Sequence, residues 1–199
     1  MYEAEIKAKA LRCIDEIYPD DNSVNVSFFP VDTFFDEAVR WVIDVAPINR
    51  FGAKSQQQLP LPERIISDDG VVMLPLPVDF ARIAYFHIRE RWARPATVIY
   101  DTDPLYLQQS NRVLRGNASR PIVAICNGRR LVEVYSTTST DSADYDVRYI
   151  PYDSAVIDAN MVDITAWKLA EIVLLSMSDS TAASLCTARV NELLEQLAI

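Results

Sequence analysis

The chain has 199 residues, half of them hydrophobic, with nine Tyr, seven Phe and three Trp, so a sizeable core is available and disorder is excluded. Its net charge of -9 argues against a protein that wraps DNA or lies on an anionic membrane. The charge is uneven: residues 82–130 carry nine Arg and three acids, whereas residues 1–81 and 131–199 are both strongly acidic.

The first predicted element is a helix over residues 3–18. Ile6, Ala10, Leu11, Ile14, Ile17 and Tyr18 fall on one stripe, Glu3 and Glu5 suit its positive end, and Pro19 with the Asp20–Ser23 run stops it. This charged, amphipathic opening predicts no signal peptide. A second helix is expected from Asp32 or Thr33, either of which can cap it, to Pro47, with Phe34, Phe35, Ala38, Val39, Val42, Val45 and Ala46 inward. Residues 48–64, with Gly52, three consecutive Gln, Pro60 and Pro62, then read as an exposed, mobile linker.

The hydrophobic period changes in the middle. Ile65-Ile66 and Val71–Met73 flank Ser67–Gly70 as a short hairpin, and residues 82–89 alternate as a strand, with Ile83, Tyr85 and His87 opposite Ala84, Phe86 and Ile88. A short helical piece is expected over residues 104–109. Ile122–Cys126 and Leu131–Tyr135 flank Asn127-Gly128, the dipeptide of a two-residue hairpin turn. Residues 136–144 read as a polar surface loop, and residues 145–150 as a last strand.

Helix returns at the end. Asp158 or Asn160 is expected to cap a helix to about Met177, with Ile164, Trp167, Ala170, Val173, Leu174 and Met177 inward. Ser178–Thr181 interrupts it. Ser180 is expected to cap the last helix, whose stripe is Cys186, Val190, Leu193, Leu194 and Leu197. The predicted class is α+β: a four-helix bundle of two N-terminal and two C-terminal helices (residues 1–50 and 155–199), a linker at 51–64, and a β-rich insertion over 65–154.

Little in this pattern points to catalysis. The single His87 lies in a strand pattern with no nucleophile context and reads as structural. Asp101-Thr102-Asp103 resembles a metal-binding DxD but reads more simply as a solvated turn. Four glycines in the whole chain exclude Gly-rich nucleotide loops. Cys13, Cys126 and Cys186 are too scattered for a disulfide framework or a zinc site and read as small buried hydrophobes of a reducing compartment. No catalytic residue, cofactor or metal is therefore assigned, and no segment is apolar enough to span a membrane. Trp92, Arg94, Tyr106, Arg115 and Asn117 are the candidate interface residues, being of types favoured at interfaces or set among them; the alternative is that the aromatic ones pack the β module itself.

Certain runs carry a resemblance: residues 8–19, the helix at 32–47, Leu74–Arg82, Trp92–Pro95, Tyr106–Asn111, and Arg115–Asn117 leading into Pro121–Ala124. In their order, the chain resembles the head-to-tail adaptor, or connector, proteins of tailed bacteriophages, and most closely structural proteins of crAss-like phages of gut Bacteroidetes. The resemblance covers residues 4 to about 197. It implies a virion protein made in the bacterial cytoplasm that forms a closed, dodecameric ring between the portal protein and downstream tail proteins. DNA would pass through its lumen without sequence-specific contact. The alternatives are another neck or tail component, and an intracellular binding module with a pocket in the β insertion.

Overall fold

The computed structural model describes residues 2–18, 29–62, 67–68, 70–89, 92–135, 137 and 141–198. Among these the chain is α+β, with five α-helices and two sheets. It divides into a helical unit, Met1–Gln56 with Pro151–Ile199, and a β unit, Gln57–Ile150. The stop at Pro19–Ser23 and the strand start at Ile65-Ile66 lie outside the described residues.

In the helical unit, α1 (Glu3–Ile17) buries Ile6, Ala10, Cys13 and Ile14, while Lys7 pairs with Glu3 one turn back and with Asp32 at 2.8 Å. Helix α2 (Val31–Val45) begins earlier than its expected caps. The Val31 and Thr33 amides bond to the Phe29 and Pro30 carbonyls, so Asp32 and Thr33 sit inside the first turn and neither caps. Its buried face is Val31, Phe35, Ala38, Val39, Val42 and Ile43. Val45, expected inside, is 40% exposed, and Ile43 takes its place.

Over residues 48–62, the described part of the expected 48–64 linker, the chain is anchored rather than free. Two short 3-10 turns, Ile48–Arg50 and Ala53–Ser55, bury Phe51 and Ser55. The Ser55 hydroxyl donates to the Val156 carbonyl (3.2 Å), and Arg50 Nε donates to the Leu197 carbonyl (2.7 Å). Farther on, β1 (Gln57–Gln58) pairs antiparallel with β8 (Tyr145–Pro151), and Leu59 is buried in the β unit's core. Anchored backbone outweighed the polar, Pro-containing composition here.

The helical unit centres on α4 (Val162–Ser176), which packs against α1, α2 and α5 (Ser180–Ala198). A 3-10 turn, Ala159–Met161, leads into α4, so neither Asp158 nor Asn160 caps it. The expected one-sided stripe is too narrow. Val162, Thr165, Ala166, Leu169 and Glu171 are buried as well as Ile164, Ala170, Val173 and Leu174. Met177, expected inside, is 54% exposed because it follows the last helical turn.

That turn is specified residue by residue. Ser178 adopts φ 65°, its amide bonds to the Leu175 carbonyl, and the Asp179 amide bonds to Leu174 (3.0 Å). This is a Schellman end with Ser where Gly is favoured. Asp179 then caps α5, its Oδ1 accepting from the Ala182 amide at 2.9 Å, so the cap falls one residue before the expected Ser180. The other Asp179 oxygen accepts from the Tyr18 hydroxyl, tying the end of α1 to this turn, and these bonds hold the carboxyl below its ordinary range. Helix α5 buries Cys186, Val190 and Leu197; Leu193 and Leu194 are only half-buried. All three cysteines are free and buried, and burial pushes the Cys13 and Cys186 thiols up to about 12.

In the β unit, a three-stranded sheet has the order β1-β8-β4, and a five-stranded sheet the order β2-β3-β7-β6-β5. The remaining strands are β2 (Ser67–Asp68), β3 (Val71–Pro75), β4 (Phe80–Ile88), β5 (Thr97–Tyr100), β6 (Ile122–Cys126) and β7 (Leu131–Tyr135). One core cluster draws on both sheets: Val72, Leu74, Val123, Ile125, Val132 and Val134 from one, Phe80, Ile83, Phe86, Ile88, Val147 and Tyr149 from the other. Ile83 and Phe86, expected on opposite faces of β4, are both buried in it. Gly70, at φ 71°, closes the β2–β3 turn. The Asn127-Gly128 hairpin has four connecting residues between strands with the expected bounds, a 3-10 turn over Asn127–Arg129 followed by Arg130 at φ 50°. Within the loop expected at residues 136–144, Thr137 is buried, its amide bonded to the Gly70 carbonyl; residues 136 and 138–140 lie outside the described residues.

Replacing Ser178 by Gly relieves the left-handed strain without removing a side-chain contact that the turn uses. Chemical denaturation of the S178G chain is expected to show stability raised by about 1 kcal/mol.

Candidate functional site

Strands β5 and β6 run parallel, so the chain must cross from Tyr100 to Ile122. It does so over the face of the five-stranded sheet that points away from the main core. There Ile99, Ile122, Ala124 and Tyr135 form a second apolar cluster, with Val71 and Tyr106 against it. Asp103 starts helix α3 (Pro104–Gln108) by accepting from the Leu105 amide at 2.8 Å, with Pro104 at the first helical position. That local role accounts for Asp103 of the Asp101-Thr102-Asp103 run, and among the described residues no group of three potential metal ligands is found.

The crossover is held by buried polar side chains. Gln109, 3% exposed, donates to the Leu105 carbonyl and accepts from the Gly116 amide, both at 2.8 Å. Gly116 must lack a side chain, since a Cβ there would lie 2.8 Å from the Ile122 backbone nitrogen. Asn117 accepts from the Ser119 and Arg120 amides, each at 3.0 Å, and so shapes the return turn.

Beside the crossover sits a buried carboxylate. Alternation along β7 sends Val132 and Val134 into the main core and Glu133 and Tyr135 to the opposite face. The Arg129 guanidinium, carried back over the sheet by the four-residue turn, pairs with Glu133. The Tyr135 hydroxyl donates to its other oxygen at 2.6 Å. Arg129 also donates to the Tyr106 hydroxyl (2.9 Å), joining α3 to the β6–β7 turn. Burial and the Glu133 charge push the Tyr135 phenol well above its ordinary range. Burial, then the Cys126 hydrogen bond and the Glu133 charge, push Tyr106 up to about 12. Glu133 in turn holds Arg129 above its ordinary value. Both Glu133 oxygens thus have partners and both phenols stay protonated at neutral pH, so the group fixes geometry and is not set up to relay protons.

Next to it opens a groove of about 400 Å3, lined by Met73, Tyr106, Leu107, Gln109, Arg115 and Glu133 among others. The structure brings Tyr106 and Arg115 together there. Arg115 is only 8% exposed, and Asn117 is exposed but engaged in its own turn. Trp92 corrects the interface expectation. It is 5% exposed and packs in the main core against Phe86, ring centroids 5.9 Å apart, and its carbonyl lies 3.0 Å from His87 Nε2. The small module does bury this aromatic, because two sheets close over it. Arg94 is exposed and has no part in the groove. Glu133 and Arg129 were missed by sequence reading. The available signal was an acid in the inward-alternating run Leu131–Tyr135, with a base four residues before it. No family model matches the chain, and no curated protein matches its sequence.

Two outcomes follow from the buried carboxylate. Glu133→Ala leaves the Tyr135 hydroxyl without its acceptor and Arg129 without its charge partner, and should lower stability by about 2 kcal/mol in chemical denaturation. The phenols give a pH dependence of the opposite sense to a carboxylate's. Unfolded tyrosine ionises near pH 10, whereas folded Tyr106 and Tyr135 hold their protons higher, so stability falls as pH rises above about 10. Tyr135→Phe should make that alkaline decline shallower in melting curves between about pH 10 and 12.

Proposed function

We propose that this chain is a structural ring subunit that joins the portal to the tail of a tailed bacteriophage, and acts as scaffold and conduit rather than as a catalyst. In this reading the four long helices form a bundle that makes the ring wall. The β-rich unit inserted between the helix pairs makes the lateral and axial contacts. Partners are other copies of the chain, the portal protein above, tail proteins below, and DNA that slides through. The reading rests on the resemblance of the ordered runs between residues 8 and 124, together with the two-helix, β-insertion, two-helix order of elements.

One observation carries it beyond that order, the segregation of charge. The helical unit holds 17 acids against 8 bases, and thus the entire net charge of -9, whereas the β unit is neutral with 11 of each. An acidic wall repels phosphate and lets a duplex move without sticking, which suits a channel and not a DNA-binding surface. The basic stretch 82–130 is then free to serve contacts between proteins.

The binding-module alternative has the amphipathic groove beside Glu133 in its favour, a site of ordinary ligand-pocket size. Its polar side chains are largely committed to one another, which favours the structural reading.

Native mass spectrometry of the chain, alone and mixed with the portal protein of the same genome, tests the proposal. A closed oligomer, or a portal complex with a whole-number ratio of copies per portal subunit, is expected. A monomer in both samples sinks it.

A further inference from the structure

The crossover carries four of the exposed large apolar residues of the β unit. Leu105 is 42% exposed, Leu107 78%, Val113 88% and Leu114 49%. Four such residues within ten positions of one well-anchored segment are more than scattered surface apolarity. Residues 104–120 contain the exposed Arg112 and Arg120 and no acid, so this apolar crest is also basic. Its backbone is fixed from beneath by Gln109, Gly116 and Asn117, and Arg120 donates to the Leu114 carbonyl at 2.7 Å. An interface built on it would cost little ordering.

The helical unit has a surface of the opposite kind. Between α2 and α4 runs an apolar groove of about 330 Å3, lined by Phe34, Trp41, Ile172 and Leu175, with Glu37 and Lys168 also on it. Leu175 is 52% exposed. The lysine is already committed, to Glu171 at 2.9 Å and to the Trp41 ring at 4.4 Å. The exposed acids of α2, Asp32, Asp36, Glu37 and Asp44, outnumber its one exposed base, Arg40. The groove is thus apolar and bordered by an acidic helix, where the crest is apolar and basic.

The geometry points to a heterologous contact in which the 105–114 crest of one copy docks into the α2–α4 groove of a second copy. Charge complementarity selects this occupant: the crest carries no acid, Glu37 lines the groove, the groove's lysine, Lys168, is already paired with Glu171, and the helical unit concentrates the chain's whole net charge. Because the two surfaces differ, the contact propagates from copy to copy and closes into a ring if the rotation allows. The inference rests on the ring reading and names the surfaces through which copies meet.

Complementation of surface variants in the full-length chain tests it. One variant carries Leu107→Asp and Val113→Asp on the crest. The other carries Glu37→Arg and Leu175→Asp in the groove. All four positions are exposed, so both chains should keep the melting temperature of the parent within a few degrees. Sedimentation velocity over a concentration series should show the parent chain self-associating and each variant associating at least about ten-fold more weakly. An equimolar mixture of the two variants should form a dimer that grows no further, because one intact crest and one intact groove remain. Unaltered association in either variant, no dimer in the mixture, or a parent chain that stays monomeric at every concentration overturns the inference. The portal reading separates cleanly. A parent chain that is monomeric alone yet binds the portal in a whole-number ratio sinks this contact and leaves the connector standing, and crest-to-groove assembly without portal binding does the reverse.

Discussion

Helix α4 has almost no side to give to water. Residues on every face of it are buried, from Val162 and Thr165 to Leu169, Val173 and Leu174, and Lys168 pairs with one oxygen of the buried Glu171. Each aliphatic side chain so buried contributes roughly 1.5–3 kcal/mol, which is lost unless something covers it. Three helices do: α1 and α2 from the start of the chain, α5 from its end. That demand brings the two ends of the sequence into one unit and leaves residues 57–150 to fold as a unit with its own core. The division of the protein into an acidic helical part and a neutral β part follows from it.

The β unit solves a second problem, the cover of a sheet with two apolar faces. One face joins the other sheet in the main core. The other is covered by the parallel crossover, a peptide only about twenty residues long that must both shield Ile99, Ile122 and Tyr135 and satisfy its own backbone. Gln109, Asn117 and the Arg129–Glu133–Tyr135 group do the second task. Leu107 and Val113, carried on the outer side of this cover, remain exposed. In the proposed reading, this remainder is where the chain meets its neighbours.

The sequence made much of this legible where a single rule decides. The 3.6-residue stripes located α1, α2 and α5, alternation and the Asn-Gly signal located β6 and β7, and the short helical piece expected over residues 104–109 is α3. Errors came where tertiary contact overrules a local rule. A Pro- and Gln-containing segment was read as linker, yet Phe51 and Leu59 bury themselves and Gln57-Gln58 find a strand partner. Caps were assigned to Ser180 and to Asp158 or Asn160 because the left-handed turn at Ser178 and the 3-10 entry before α4 have no composition signature. Of the interface candidates, Tyr106 and Arg115 converge on one groove, Asn117 shapes the loop beside it, Arg94 stands exposed apart, and Trp92 is core. The Glu133 group was invisible because its partners are brought together by strand register and a four-residue turn, neither of which spacing reveals.

The proposed reading comes down to one idea: a repeating wall unit whose helical part would face passing DNA and whose β part would hold neighbours. Electron cryo-microscopy of portal rings incubated with the purified chain tests it most directly. The account predicts a closed ring coaxial with the portal, with the helical unit of each copy lining the channel and the 105–114 crest at the boundary between copies. Portal rings without added density, or a ring whose channel is lined by the β unit and whose crests face solvent, would contradict it.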